Sequence, residues 1–368
     1  MNPIVTNIVE NNHILEFSLQ NTDVSVANAI RRTILSEIDV NAFVTETFEK
    51  NQCTIHKNTT RFHNEIVKQR LSCIPIHMED LDILPGKYLL EVEKRNEDSN
   101  NIYVTTEDFK IKNKETNQYL TRDETKKIFP PNELTGDYIC FLRLRPQIAS
   151  NILGEEIKLE CEFSTSNAKD NSMFNVVSLC SFGNTIDKVK VQKEWLNRES
   201  KYKQDGLSET EIKFEKKNFM LLDAQRQYIK DSFDFTIKSL NVFSNKSLVF
   251  KSCEQMKHKL EQFDHDVDAD IVFIRLSENT MKNCYDIVVD NEDYTLGKIL
   301  EYGMYKKYFE KEKLIEYCGF KKFHPHDKQS VIRIAYASPI DRVNIKQQLK
   351  TISKSFIDVF SDIQKMFS

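Results

Sequence analysis

Carboxylates at alternate positions are the residue type that gathers a divalent cation, and Asp266, Asp268 and Asp270 in the run DHDVDAD supply three. With a bound metal such a group serves nucleic-acid processing, so a metal-dependent enzyme is one reading. A calcium loop starting at Asp266 needs glycine sixth and glutamate twelfth, where Ile271 and Ser277 stand. The run 264–270 is therefore expected to be a linker. His324 and His326 flank Pro325 at a spacing that suits a metal, but no cysteine or third ligand stands nearby, and a turn with exposed imidazoles is expected. Eight cysteines include no CxxC pair, which predicts free, mostly buried thiols of a reducing compartment. No GxGxxG, HExxH, GxSxG or phosphate-binding GxxxxGK motif occurs. General acid or base work needs a group partly withdrawn from water, and the acidic residues lie in charge-rich stretches. The sequence thus nominates no catalytic, metal or cofactor site. Lys346, Lys350 and Lys354 form a basic stripe read as a solvated face.

Arg31 and Arg32 are the other chemically capable group, two guanidinium forks suited to bidentate recognition of carboxylates or carbonyls. They sit in the stretch 23–38, where Val26, Ile30, Ile34 and Ile38 recur at helical spacing and Ala27 and Leu35 widen the apolar stripe. The pattern predicts an amphipathic helix capped by Asp23 or Ser25, with Asn28, Arg31 and Arg32 off the buried face. Its opening recurs 270 positions later (293 minus 23): Asp293, Thr295, Leu296, Gly297 and Leu300 stand where Asp23, Ser25, Val26, Ala27 and Ile30 stand. Ala27 and Gly297 are the small residues expected where helices cross.

Leu15, Phe17 and Leu19 alternate as a strand before the first copy, and 42–48 and 53–56 are short strand candidates. Phe62, Ile66, Val67 and Leu71 mark a short helix that Pro75 ends. From 77 to about 224 short strand patterns alternate with polar stretches, of which 94–101 and 201–217 are expected to be solvated loops. Strand alternation resumes at Phe233. Val249, Cys253, Met256, Leu260 and Phe263 make a helical seam, and Ile345, Leu349, Ile352, Phe356, Val359, Ile363 and Met366 a second one. Between them lie strand runs at 271–276, 285–289 and 331–336 and a helix within 290–311.

The composition of the 368 residues, 40% hydrophobic and 29% charged, is that of a globular chain of two or three domains. A net charge of −4 gives no whole-chain footprint for nucleic acid, so DNA is expected only through a partner. No apolar run approaches the length of a membrane span, and no secretory leader is read at the start.

These motifs resemble the α-like assembly subunits of multisubunit DNA-dependent RNA polymerases. Asn28 to Arg32 match the family's asparagine-x-aliphatic-Arg-Arg signature, and Glu65, Arg70, Leu71, Ile74 and Pro75 match its Glu-x4-Arg-Leu-x2-Ile-Pro element. Glu292, Asp293, Thr295, Leu296 and Gly297 fit the Glu-Asp-x-Thr-Leu-Gly motif of the smaller partner subunit, with Gly319, His324 and Pro325 a loose fit to its later turn. The chain is similar to the third and eleventh subunits of eukaryotic polymerase II, or archaeal D and L, joined in one chain as in large nucleocytoplasmic DNA viruses. The family's cysteine cluster is missing, so no metal site is carried over.

The resemblance implies an α+β fold with two α-like dimerisation halves, each an antiparallel sheet plus helices, forming an intramolecular pseudo-dimer. The expected boundaries are 1–40 with 225–263 for the first half, 41–224 for an inserted β-rich domain, 264–270 for the linker and 271–368 for the second half. The packing residues are Val26, Ala27, Ile30, Ile34, Met256, Leu260, Leu296, Gly297, Leu300, Ile352, Phe356, Val359 and Ile363. Asn28, Arg31, Arg32, Glu65 and Arg70 are expected to dock the second-largest polymerase subunit. The largest subunit and small zinc-binding subunits are further partners. No self-dimer, no membrane and no activity of its own are expected. The location is that of the complex, in the virion and host cytoplasm if viral and otherwise in nucleus or cytoplasm. A coiled-coil adaptor, whose seams pair between chains, is the remaining alternative.

Overall fold

The computed structural model describes residues 1–149, 153–278 and 280–368. The chain divides into two units, the first made of 1–34, 179–238 and 245–368 and the second of 35–178 and 239–244. It opens with strands β1 (Ile4–Asn11) and β2 (Ile14–Gln20) and helix α1 (Val24–Ser36). Helix α1 starts where an Asp23 carboxylate oxygen accepts the Ser25 amide at 2.8 Å. It buries Val26, Ala27, Ile30 and Ile34 as the stripe predicts, and ends two residues before Ile38.

The second unit contains β3 (Val40–Ala42), β4 (Cys53–Asn58), α2 (Asn64–Ser72), β5 (Tyr88–Arg95), β6 (Ile102–Thr105), β7 (Lys110–Asn113), α3 (Arg122–Ile128), β8 (Cys140–Leu144), β9 (Glu156–Glu162) and β10 (Ser164–Ser166). Its main sheet has the order β4-β9-β5-β7, with β6–β8 and β10–β3 as two-stranded ribbons. Alternate residues of β5 and β9, Leu90, Val92, Leu159 and Cys161, reach a core that includes Phe43, Phe109, Phe129 and Phe163. The strand expected over 42–48 stops at Ala42, because its partner β10 begins at Ser164, opposite Ala42, and offers no ladder beyond it; Thr47 then turns the chain with a left-handed backbone (φ 55°).

The chain returns through β11 (Val177–Ile186), α4 (Lys188–Gln204), α5 (Glu209–Leu221), β12 (Tyr228–Ser239) and α6 (Asn245–Asp268). The stretch 201–217, expected as a solvated loop, is instead the end of α4 and most of α5. The Asp187 carboxylate caps α4, and Ser208 with Glu211 closes a capping box on α5. Val191 and Trp195 bury against Phe219 and Ala224, while Lys216 lies over the Trp195 ring and Arg198 over the Phe219 ring. Residues 179–224 therefore belong to the first unit and not to the insertion.

The last elements are β13 (Phe273–Leu276), β14 (Cys284–Asp290), α7 (Tyr294–Met304), a π-helical turn (Tyr305–Lys311), β15 (Ile315–Lys321), β16 (Gln329–Tyr336) and α8 (Arg342–Lys365). The first unit thus holds two four-stranded sheets, ordered β1-β2-β12-β11 and β13-β14-β16-β15. The orders are the same: a hairpin, a helix, a second pair of strands, then a long helix. In the first sheet Phe17 stacks on its register partner Phe235 and meets Phe367 edge-on, both at 4.9 Å.

The two seams meet each other. Helices α6 and α8 pack along their length, burying Met256 and Leu260 with Ile352, Phe356, Val359 and Ile363, and Ser353 Oγ donates to the Leu260 carbonyl at 3.0 Å. The expected linker 264–270 is a correction: α6 continues to Asp268. Its acidic end is tolerated because Lys350 Nζ reaches Asp268 at 2.6 Å and Lys346 pairs with Asp270. Two of the three lysines read as a solvated stripe are thus committed to those carboxylates.

Candidate functional site

Of the chemically capable residues, Arg32 of α1 is the one that reaches the N-terminus of α7. Asp293 Oδ1 accepts the Thr295 amide at 2.8 Å, the same cap that Asp23 makes on α1. Arg32 spans from α1 to this cap, its Nη2 donating to Asp293 Oδ2 at 2.5 Å and its Nε to Thr295 Oγ1 at 2.8 Å. The guanidinium fork therefore ties α1 of one sheet to the start of the helix of the other. Burial opposes ionisation of Asp293, but the Thr295 amide and hydroxyl and the Arg32 charge outweigh it and hold the carboxyl below its ordinary value.

Arg31 is held differently. Asn28 Oδ1 accepts both its Nε (3.1 Å) and Nη2 (2.8 Å), one helical turn back, so the guanidinium is oriented by its own helix. Glu65 and Arg70 lie on α2 of the second unit. Arg70 donates to the carbonyls of Phe141 (2.7 Å) and Cys140 (3.0 Å) and lies over the Phe62 ring, pinning α2 to β8, whereas Glu65 is exposed. The residues named for packing lie on α1, α6, α7 and α8, and all are buried.

A Cβ at Gly297 would overlap the Phe320 ring of β15, so this glycine admits a strand side chain and not a crossing helix. The crossing glycine is Gly303, whose added Cβ would overlap Ile352 and Phe356 of α8. Sequence reasoning passed over it. The i, i+6 spacing from Gly297 in YTLGKILEYGM was the available signal.

The other candidates do not assemble a site. Among the described residues no group of three His, Cys, Asp or Glu is placed to hold a metal. His324 and His326 meet edge-on at 5.0 Å in the turn between β15 and β16. All eight cysteines are free, and burial pushes the thiols of Cys180, Cys253 and Cys318 up to about 12, far from a reactive thiolate. Among the described residues no helix is long and apolar enough to cross a membrane.

A sheet-and-helix half with a domain inserted after its first helix is the architecture these contacts define. The RNA polymerase Rpb3/Rpb11 dimerisation domain matches over residues 16–260, more than half of the chain, and the chain belongs to that family. The match runs from β2 into α6, and 271–368 repeat its strand order beyond it. The chain is similar to a conjugation stage-specific protein of Tetrahymena thermophila, 25% identical over 182 residues, 45% of this chain and 54% of that protein. It is also similar to the DNA-directed RNA polymerases I and III subunit RPAC1 of Bos taurus, 22% identical over 312 residues, 69% of this chain and 82% of that one. The Homo sapiens RPAC1 is 25% identical over 191 residues, 46% of this chain and 50% of that protein. The chain thus spans about half the length of the first and third of these relatives in those matches.

Proposed function

We propose that this chain is a non-catalytic assembly subunit of a DNA-directed RNA polymerase in which two α-like halves pair within one polypeptide. The observation that carries the reading is the repeat of one topology, β1-β2-β12-β11 and β13-β14-β16-β15, closed by α6 on α8 and by Arg32 on the Asp293 cap. A helix pair of this kind is what a dimerisation domain offers, and joining the halves raises their effective concentration to about the millimolar range or above. The relatives named as polymerase I and III subunits support the same class of complex.

On this reading nucleotidyl transfer belongs to the largest subunits and this chain positions them. Arg31, aimed by Asn28, is the guanidinium we assign to the second-largest subunit, with Glu65 as an exposed acidic contact; Arg32 and Arg70 hold the docking surfaces in shape. Small zinc-binding subunits complete the set of partners, and DNA is met only through the complex. The fused halves fit the arrangement of large nucleocytoplasmic DNA viruses, whose polymerases act in cytoplasmic factories and travel in the virion.

Affinity purification of the chain from its source, with mass spectrometry of what co-elutes in stoichiometric amount, tests the proposal. Two much larger subunits and template-dependent RNA synthesis in the eluate are expected. Recovery of the chain alone would sink it.

A further inference from the structure

The two helix caps are built alike but completed differently. At α7, Arg32 gives one N–H to the second carboxylate oxygen of Asp293 and another to the Thr295 hydroxyl. The same pair on α1 is Asp23 and Ser25, 270 positions earlier (293 minus 23 and 295 minus 25). The residue that matches Arg32 by the same offset is Tyr302, which has no guanidinium to give (302 minus 32).

What remains there is an open cavity of about 560 Å³, lined by Asp23, Ser25, Phe182, Tyr302 and Tyr305 among others. Ser25 is 9% exposed, and its Oγ has no hydrogen-bond partner, although the equivalent Thr295 Oγ1 receives Arg32 Nε. One Asp23 oxygen holds the Ser25 amide, and among the described residues no cationic side chain pairs with this carboxylate. Three other polar groups on the wall are engaged: Lys298 pairs with Glu301 at 2.5 Å, the Asn28 side-chain carbonyl accepts from Arg31, and the Cys318 thiol donates to the Glu301 carbonyl at 3.8 Å. The charge of Asp23 falls on the Tyr302 phenol, which burial and then that charge push above its ordinary value. A buried hydroxyl acceptor without a donor costs free energy that a donor from outside recovers.

We infer that the cavity over Asp23 and Ser25 binds an arginine side chain of a partner polypeptide, whose guanidinium takes the place that Arg32 takes at Asp293 and Thr295. The acceptors match in number and kind, Tyr302 and Tyr305 line the cavity with aromatic rings, Tyr305 having one face already stacked on Phe309, and a permanently charged fork suits two divergent oxygens better than an ammonium does. The inference stands on this geometry and goes beyond the assembly role, since it names the chemistry that one partner must present.

The test uses the full chain with tyrosine rings labelled for NMR, titrated with Nα-acetyl-arginine methylamide and with the neutral citrulline analogue. Saturable shifts of the Tyr302 and Tyr305 rings are expected with the arginine probe, with citrulline at least tenfold weaker. Asp23→Asn, which keeps the helix cap, is expected to weaken the arginine probe at least tenfold. Tyr302→Arg, which supplies the missing guanidinium from within, is expected to block the probe in a chain whose circular dichroism is unchanged. Equal response to citrulline, or arginine binding unaltered in both variants, would overturn the inference. Because binding is read on the isolated chain, that failure leaves the polymerase assignment where it stood.

Discussion

The two halves of the first unit share strand order and helix placement, yet one carries most of the second unit between α1 and β11 where the other makes a seven-residue π-helical turn between α7 and β15. Connections at the surface grow at little thermodynamic cost, so the same framework accepts either. The helix packing and the first cap survive the difference. What diverges is the residue opposite each cap: Arg32 closes one and Tyr302 leaves the other open.

Removing the packing common to both halves has the largest effect. Phe356→Ala, in the α8 seam, is expected to cost about 3–5 kcal/mol, read from urea unfolding by circular dichroism. If the loss were small, α6 and α8 would not hold the halves together. Gly303→Leu drives bulk into Ile352 and Phe356 at the α7–α8 crossing and should cost about 1–3 kcal/mol in the same assay. Arg32→Met removes the fork across the halves; with both partners about a third exposed, roughly 1 kcal/mol is expected. An unchanged stability would assign Arg32 to docking instead. Asp293 sharpens the comparison with pH. Its folded-state value is lowered, so its stabilisation is present above the ordinary aspartate value of about 3.9 and fades as pH falls through the lowered one. The stability gap between the wild type and Asp293→Asn should therefore close in acid. The smallest effect is that of Asp23→Asn on stability, within about 0.5 kcal/mol, because asparagine caps as well as aspartate and no internal arginine is lost.

The stripe on α1 and the seams on α6 and α8 were legible because apolar residues at a fixed period name the buried face. Strand β1 was not: most of its residues are exposed, and a register shift between Thr6 and Val9 breaks the alternation. The charge of α4 and α5 hid two helices that bury little more than Val191, Trp195 and Phe219. The aspartates at the end of α6 read as a linker because the lysines that neutralise them lie far along the chain, Lys350 being 82 positions from Asp268. Of the candidate site, the repeat and its two caps could be read directly. The task of Arg32 could not, since its acceptors are 261 and 263 positions away and no local pattern selects one of two adjacent arginines.

The insertion also sets the order in which the molecule can become itself. A bond across the second sheet, Arg333 to Asp286, closes 47 positions, whereas Ser18 to Asp234 across the first sheet closes 216. That is a little over two doublings of loop length, roughly 1.3 kcal/mol of extra closure entropy when the intervening chain is still disordered. The part made last therefore has the lower contact order and forms from neighbouring residues, while the N-terminal hairpin waits for β12. Prior folding of the second unit, which makes up most of that intervening chain, shortens the wait, so the speed with which the first sheet closes depends on residues that fold around a core of their own.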